Sequence, residues 1–146
     1  VLQQACAQIA RWRNDRMGFR LAVNLSALDL AGERLDRMIS DALRAHDVSG
    51  RSLTLELTEH AVVADLDHAS AVMTRAAQHG VSFSLDDFGT GHASLKSLQA
   101  LPLSEIKVDR AFTRNLTRGA ADEVIVQSAV SLAHALRLQV VAEGLE

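Results

Sequence analysis

Two adjacent aspartates, Asp86 and Asp87, end a run with the alternating pattern of a β-strand, and a loop with two glycines follows them. Neighbouring carboxylates repel each other unless a cation lies between them. Gly89 and Gly91 allow the backbone to turn sharply and to approach a ligand closely. Taken alone, such a pair is more often an acidic turn after a strand than a binding site.

Other polar residues end similar strand-like segments, each about one strand–helix unit further along the chain. They are Asn24, Glu56, Asp86 with Asp87, Lys107 with Asp109, and Glu143. The carboxyl ends of parallel strands converge on the ligand site of an α/β fold, so we expect these side chains to lie close together. Oxygen donors without thiolates suit Mg²⁺ or Mn²⁺. Two such ions can clamp the attacking and leaving oxygens of a phosphodiester.

The lysine in this set has two possible roles. Lys107 could orient or activate a water molecule and offset developing negative charge. It could equally be a structural partner for Asp86 or Glu56. The sequence leaves both interpretations open.

The composition is that of an ordinary globular chain of one domain. The 146 residues are 48% hydrophobic and 23% charged. The net charge of −3 argues against nucleic-acid binding by bulk electrostatics. A single cysteine, Cys6, excludes an intramolecular disulfide. No apolar run approaches the roughly 20 residues of a membrane span, so we expect a cytoplasmic domain without a membrane segment.

Strand-like and helical segments alternate along the chain. Strands are predicted at Leu21–Ser26, Leu53–Thr58, Val81–Asp86, Ile106–Asp109 and Leu138–Glu143, and helices near residues 2–10, 35–43, 66–76, 93–98 and 120–136. This alternation predicts parallel strands with crossover helices, in a doubly wound sheet or a (β/α) barrel. Strands with one small or polar side and one apolar side favour the barrel. The predicted fold class is therefore α/β, an incomplete TIM-like (β/α) barrel of about five parallel strands with flanking helices.

Five segments of the chain share their order and spacing with the motifs of a known family. They are Val23–Ala27, Glu56–Glu59, Asp86–Gly91, Ile106–Arg110 and Ala142–Glu146. These segments resemble the motifs of EAL domains, the bacterial phosphodiesterases that hydrolyse cyclic di-GMP to linear pGpG. The resemblance covers residues 1–146 as a single partial domain. It implies a barrel of the EAL type, in which the first strand runs antiparallel to the rest.

The resemblance also implies a metal site and a catalytic lysine. The matched ligands of a two-metal site for Mg²⁺ or Mn²⁺ are Asn24, Glu56, Asp86, Asp87 and Glu143. Asp86 matches the aspartate that bridges the two ions. Lys107 matches the lysine beside the hydrolytic water, and Glu143 matches the late-strand glutamate that completes the metal site. The catalytic residues that the resemblance implies are Lys107, Glu143 and Glu59.

A loop and its support complete the implied site. Glu59 resembles a glutamate that holds the glycine-containing loop in its working position. The residues that the resemblance assigns to this loop and to the substrate region are Gly89, Thr90, Gly91, Asp109 and Glu146. The family acts on cyclic di-GMP and also uses this loop in dimerisation. The partners that the resemblance implies are therefore cyclic di-GMP and a second EAL domain.

The Glu-Ala-Leu tripeptide that names the family, whose glutamate is a metal ligand, is absent from this sequence. We therefore expect an internal piece of a larger domain, fused to sensory or GGDEF domains. We expect the 146-residue chain alone to bind metal weakly and to hydrolyse little.

A non-catalytic EAL-like domain, which acts as a cyclic di-GMP receptor or a protein-interaction module, is the alternative. The retained residues Asp86, Asp87, Lys107 and Glu143 favour the enzyme, because a receptor needs neither a metal pair nor a lysine beside the water.

Overall fold

A parallel β-sheet forms the centre of the molecule. The computed structural model describes residues 1–12, 19–32, 34–63, 65–90, 94–114 and 120–144. The strands are β1 (Leu21–Asn24), β2 (Leu53–Thr58), β3 (Ser82–Phe88), β4 (Glu105–Val108) and β5 (Gln139–Ala142), and they are paired in chain order. Each neighbouring pair of these strands is parallel, which confirms the predicted direction.

Helices flank the sheet, and all of them except the first connect successive strands. They are α1 (Leu2–Trp12), α2 (Ala27–Ala31), α3 (Leu35–Ala45), α4 (Glu59–Val63), α5 (Leu66–Ala77), α6 (Leu95–Ala100), α7 (Arg110–Thr113) and α8 (Ala120–Ala135). Because parallel crossovers are right-handed, strictly sequential strand order puts the connecting helices on one face. A doubly wound sheet would reverse its order partway. The structure is therefore an arc of a (β/α) barrel, and among the described strands β1 and β5 each have one neighbour.

The face under the helices is apolar and forms the core. Five side chains at alternate positions of β2 and β3 have no exposed surface: Leu53, Leu55, Leu57, Phe83 and Leu85. Full burial of a side chain of this kind contributes about 1.5–3 kcal/mol. The opposite face carries the polar residues of the same strands, as the alternation predicts.

The sequence pattern does not predict three short helices, α2, α4 and α7. They contain five, five and four residues, too few for a periodic pattern to register. Local capping accounts for α2, where Ser26 and Asp29 form a reciprocal capping box. For this reason β1 ends at Asn24 and not at the predicted Ser26.

Other boundaries also differ from the prediction. β3 continues to Phe88 because this residue still pairs with Val108 after a register shift. β4 ends before Asp109, which caps α7, and α6 begins after its cap Ser94. The antiparallel first strand that the family resemblance implies is not among the five described strands.

The environment of the cysteine and the lengths of the helices can be compared with the sequence analysis. Cys6 is a fully buried free thiol in the core, as its place in the helical pattern predicts. In the described part of the chain, no helix is long and apolar enough to cross a membrane.

Gly50 lies where two backbone segments approach each other closely. It opens the 3₁₀ turn before β2, and a Cβ atom there would lie 2.1 Å from the carbonyl oxygen of His79. We expect Gly50→Ala to lower the free energy of unfolding by at least about 2 kcal/mol, because backbone and not a flexible side chain has to move. Chemical denaturation measures the change. Gly32→Ala is the control, since its added Cβ lies 3.6 Å from the nearest atom, and equal stability of the two variants would contradict the close approach.

Candidate active site at the carboxyl ends of the strands

The strand register brings polar side chains of neighbouring strands side by side. Asn24 pairs with Glu56 across β1 and β2, and Thr58 pairs with Asp86 across β2 and β3. Lys107 lies on the next strand, β4. Because all these strands run in the same direction, their polar ends share one edge of the sheet.

The ammonium group of Lys107 is the centre of this region. Its Nζ atom lies 2.6 Å from Glu143 Oε1, 3.1 Å from Glu56 Oε1 and 3.3 Å from Asp86 Oδ1. The four side chains are between 13% and 31% exposed. We call these four residues the Lys107 cluster. Acids from β2, β3 and the end of β5 are thus joined by one cation from β4.

The surroundings of Lys107 determine its charge state. Burial lowers the pKa of this lysine, because a buried ammonium loses hydration. Hydrogen bonds to Glu143 and Glu56, together with the charge of Asp86, raise the pKa by more, and the net shift is upward. Lys107 is therefore charged at neutral pH. The stability that it contributes is lost only above the ordinary lysine pKa of about 10.4.

Asp87 lies at a local break in the sheet. The register of β3 against β4 shifts just before the end of β3, and Asp87 has a positive φ of 57°. Its N–H donates to Asp86 Oδ1 at 3.0 Å. Burial raises the pKa of Asp87, and the charge of Asp86, a side-chain hydrogen bond with Asp109 and the charge of Glu143 raise it further. Acids thus surround this carboxyl, and a cation would be stabilised beside it.

A buried glutamate holds the loop that follows β3. Glu59, the first residue of α4, is 1% exposed, and its Oε1 accepts a hydrogen bond from the N–H of Gly89 at 3.0 Å. Gly89 has a φ of 103°, and a Cβ atom there would lie 2.9 Å from the ring of Phe112. Thr90 closes the turn, because its N–H and hydroxyl both donate to the carbonyl oxygen of Asp87. Glu59 therefore connects the end of β2 to the loop beside Asp87.

The end of β5 is attached to the segment that follows β4. The N–H of Glu143 donates to the carbonyl oxygen of Val108 at 3.3 Å. The hydroxyl of Thr113 donates to the carbonyl oxygen of Glu143. Asp109 caps α7 by accepting the N–H of Ala111 at 2.6 Å. The short helix α7 therefore starts beside the Lys107 cluster and reaches the backbone of Glu143.

Most of the site residues predicted from the sequence lie in or next to this region. Asn24 is exposed on β1, where it neighbours Glu56 in the register. Gly91 and Glu146 lie outside the described residues. Their roles stay predictions.

Sequence reasoning did not identify Phe112 and Thr113. Neither residue type suggests a site, and α7 is too short to have a pattern. The one usable signal is position, because both residues closely follow the strand end that carries Lys107 and Asp109.

The oxygen atoms of this region are of the type that divalent cations such as Mg²⁺ and Mn²⁺ prefer, because carboxylates are hard ligands. As arranged in the described part of the chain, no group of three or more acidic, histidine or cysteine side chains could hold a metal ion. The Lys107 ammonium lies where the carboxylates of Glu56, Asp86 and Glu143 meet. The donor set thus fits a metal by its chemistry, and in this arrangement its carboxylates are paired with the ammonium.

Fold and site together define a (β/α) barrel protein with an acidic site at the carboxyl ends of its strands. The chain belongs to the EAL domain family, which it matches over residues 1–146.

The chain is similar to proteins of cyclic di-GMP signalling. The bifunctional diguanylate cyclase/cyclic di-GMP phosphodiesterase MucR of Pseudomonas aeruginosa is 40% identical over 147 residues, which are 100% of this chain and 22% of MucR. A structure of the MucR phosphodiesterase in complex with c-di-GMP has a TM-score of 0.93 at 39% identity, and the match covers 99% of this chain and 59% of that one. The manganese and cyclic di-GMP complex of Klebsiella pneumoniae BlrP1 has a TM-score of 0.85 at 27% identity over 99% and 38%. The chain spans about a fifth of the length of MucR.

The contacts of Lys107 predict that replacing this lysine destabilises the protein more than replacing Lys96, the other lysine of the chain. In metal-free buffer at pH 7, we expect Lys107→Met to lower the free energy of unfolding by about 3 kcal/mol, because three partly buried carboxylates lose their cation. Lys96→Met, on the exposed surface of α6, should change it by less than about 0.5 kcal/mol. Urea denaturation measures both values.

Equal stability of the two lysine variants at pH 7 would show that the cluster contributes no net stabilisation.

Proposed function

We propose that this chain is the catalytic region of a metal-dependent phosphodiesterase that hydrolyses cyclic di-GMP to linear pGpG. The observation that carries the proposal is the Lys107 cluster, in which acids of different strands meet one lysine at the ligand-binding edge of a parallel barrel. The similarity to MucR, a named cyclic di-GMP phosphodiesterase with a c-di-GMP complex, supports this substrate.

The proposed reaction adds water to one of the two phosphodiester linkages of the ring. The bond between phosphorus and the 3′ oxygen breaks, the 3′ oxygen leaves with a proton, and the phosphate stays on the 5′ side. Bound Mg²⁺ or Mn²⁺ would lower the pKa of the attacking water and offset the charge of the phosphate. The BlrP1 complex with manganese supports a divalent ion. Its ligands here would be Asn24, Glu56, Asp86, Asp87 and Glu143.

We infer that Lys107 combines the two roles that the sequence left open. As a structural partner, the ammonium fixes the relative positions of Glu56, Asp86 and Glu143. In the metal-free protein, burial lowers the pKa of Lys107 by less than these acids raise it, so the ammonium is protonated at neutral pH. It donates hydrogen bonds, and so it can orient the water and stabilise negative charge that develops on the phosphate.

Glu59 supports the site by holding the loop that follows β3. Its hydrogen bond to Gly89 places the loop next to Asp87, so a displacement of Glu59 would move this ligand as well. Thr90 follows Asp87 in this loop and Asp109 follows β4, and both are proposed to contribute to the substrate side.

A receptor without catalytic activity explains the cluster less well. Cyclic di-GMP carries two phosphate charges, and three acids close to the phosphates would repel this ligand. Their presence is useful when cations bridge them to the phosphate, which is the arrangement that hydrolysis needs.

The open arc of strands supports a low expected activity for the 146-residue chain alone. Among the described strands β1 and β5 have one neighbour each, and Asn24 on β1 is exposed to water. We therefore keep the expectation that this chain alone hydrolyses little. A homodimer and fusion to sensory or GGDEF domains are proposals that rest on the family resemblance. A cytoplasmic location is a proposal that rests on the sequence.

Turnover of cyclic di-GMP by the natural full-length protein tests the proposal. We expect Glu56→Gln and Asp86→Asn to lower kcat by about 100-fold or more, because each removes a charge that the transition state requires. Asp41→Asn, which changes an exposed acid on α3, should keep kcat within about twofold. Chromatographic separation of cyclic di-GMP and pGpG measures the rates. Equal turnover in all three variants would refute the assignment of the site.

A further inference from the structure

The backbone of Glu143 is held on both of its polar sides. Its N–H donates to Val108 O at 3.3 Å, and its carbonyl oxygen accepts the hydroxyl proton of Thr113. Thr113 is the last residue of α7 and is 3% exposed. One contact comes from the last residue of β4 and the other from α7, which follows β4, so this part of the chain fixes where β5 ends.

The chain also turns against α7 directly after Glu143. Gly144 has a φ of 67°, and a Cβ atom there would lie 2.8 Å from Arg110 Cβ. The first and last residues of α7, Arg110 and Thr113, therefore contact two consecutive backbone positions of the β5 end. A strand end in such contact has little freedom to shift.

The side chain of Glu143 is tied to the same segment. Its Oε1 lies 2.6 Å from the Nζ of Lys107, on β4. Thr113 follows Lys107 by six residues, and the last four of these form α7. One continuous segment thus holds the carboxylate of Glu143 at Lys107 and its carbonyl at Thr113.

We propose that Thr113 is a positioning residue of the phosphodiesterase site, which acts by holding the backbone of Glu143 so that its carboxylate stays on Lys107. The inference rests on the proposed function. Thr113 touches neither the substrate nor the reacting atoms in this account. Its effect reaches the reaction through Glu143 alone.

The hydroxyl group, and not the bulk of the side chain, carries this role. Valine has the same shape as threonine but no donor, so Thr113→Val would leave the carbonyl of Glu143 without this hydrogen bond. Thr113→Ser keeps the donor and removes a methyl group. The hydroxyl has a second acceptor in the carbonyl oxygen of Arg110 at 3.3 Å, within its own helix, and loss of that local contact leaves β5 untouched.

Steady-state kinetics of the full-length protein provide the first test. We expect Thr113→Val to lower kcat about tenfold with KM within about twofold, because small displacements of a catalytic group are costly while substrate contacts persist. Thr113→Ser should stay within about twofold of the wild type. The matched control is Ser70→Ala, which removes another hydroxyl-to-carbonyl bond, to Ala100 on α6 and away from the site.

Hydrogen exchange of the Glu143 amide in metal-free protein provides a second test that does not depend on activity. The N–H bond to Val108 should open more often when the carbonyl side is released. We expect exchange about tenfold faster in Thr113→Val, and unchanged in Thr113→Ser and Ser70→Ala. If Thr113→Val does not fold, Thr113→Ala takes its place.

The outcomes separate the two proposals. Normal exchange and normal kcat in Thr113→Val would overturn the role of Thr113, and so would equal losses in Thr113→Ser and Thr113→Val. Absence of turnover in the wild-type protein would refute the proposed function. In that case the exchange rates still decide whether Thr113 holds the end of β5.

Discussion

One ammonium group among three carboxylates is the interaction on which the rest of the site depends. Glu56, Asp86 and Glu143 come from different parts of the sheet and would repel one another without Lys107. Partly buried charges are costly unless their geometry is good. That geometry exists only when β2, β3, β4 and the end of β5 are in register. Folding of the sheet and assembly of the site are therefore the same event.

The connections around the cluster fix the backbone close to its members. Glu59 follows the end of β2 and holds the loop after β3 through Gly89. The helix α7 follows the strand of Lys107 and contacts the backbone of Glu143 through Thr113. Each link joins one strand end to the next, so the acids keep their spacing although β1 and β5 have one neighbour each among the described strands.

The sequence predicted that these polar side chains lie close together, but not how they contact one another. Period-two alternation locates strand ends, and parallel topology makes Glu56, Asp86, Lys107 and Glu143 converge. Local pattern does not encode the sequential strand order, which distinguishes the barrel arc from a doubly wound sheet. Nor does it encode that the lysine contacts three acids at once. Thr113 is hidden for the same reason, because its partner lies 30 residues away in the chain.

The central claim is that Lys107 is the cation of the carboxylate cluster, and its own titration tests this most directly. Nuclear magnetic resonance of the lysine side chain in metal-free protein can follow the ammonium group of Lys107 as the pH is raised. We expect Lys107 to keep its proton above the ordinary lysine pKa of about 10.4, because burial lowers its pKa by less than the hydrogen bonds and charges of Glu143, Glu56 and Asp86 raise it. Titration of Lys107 at or below about 10.4 would contradict its role as the cation of the cluster.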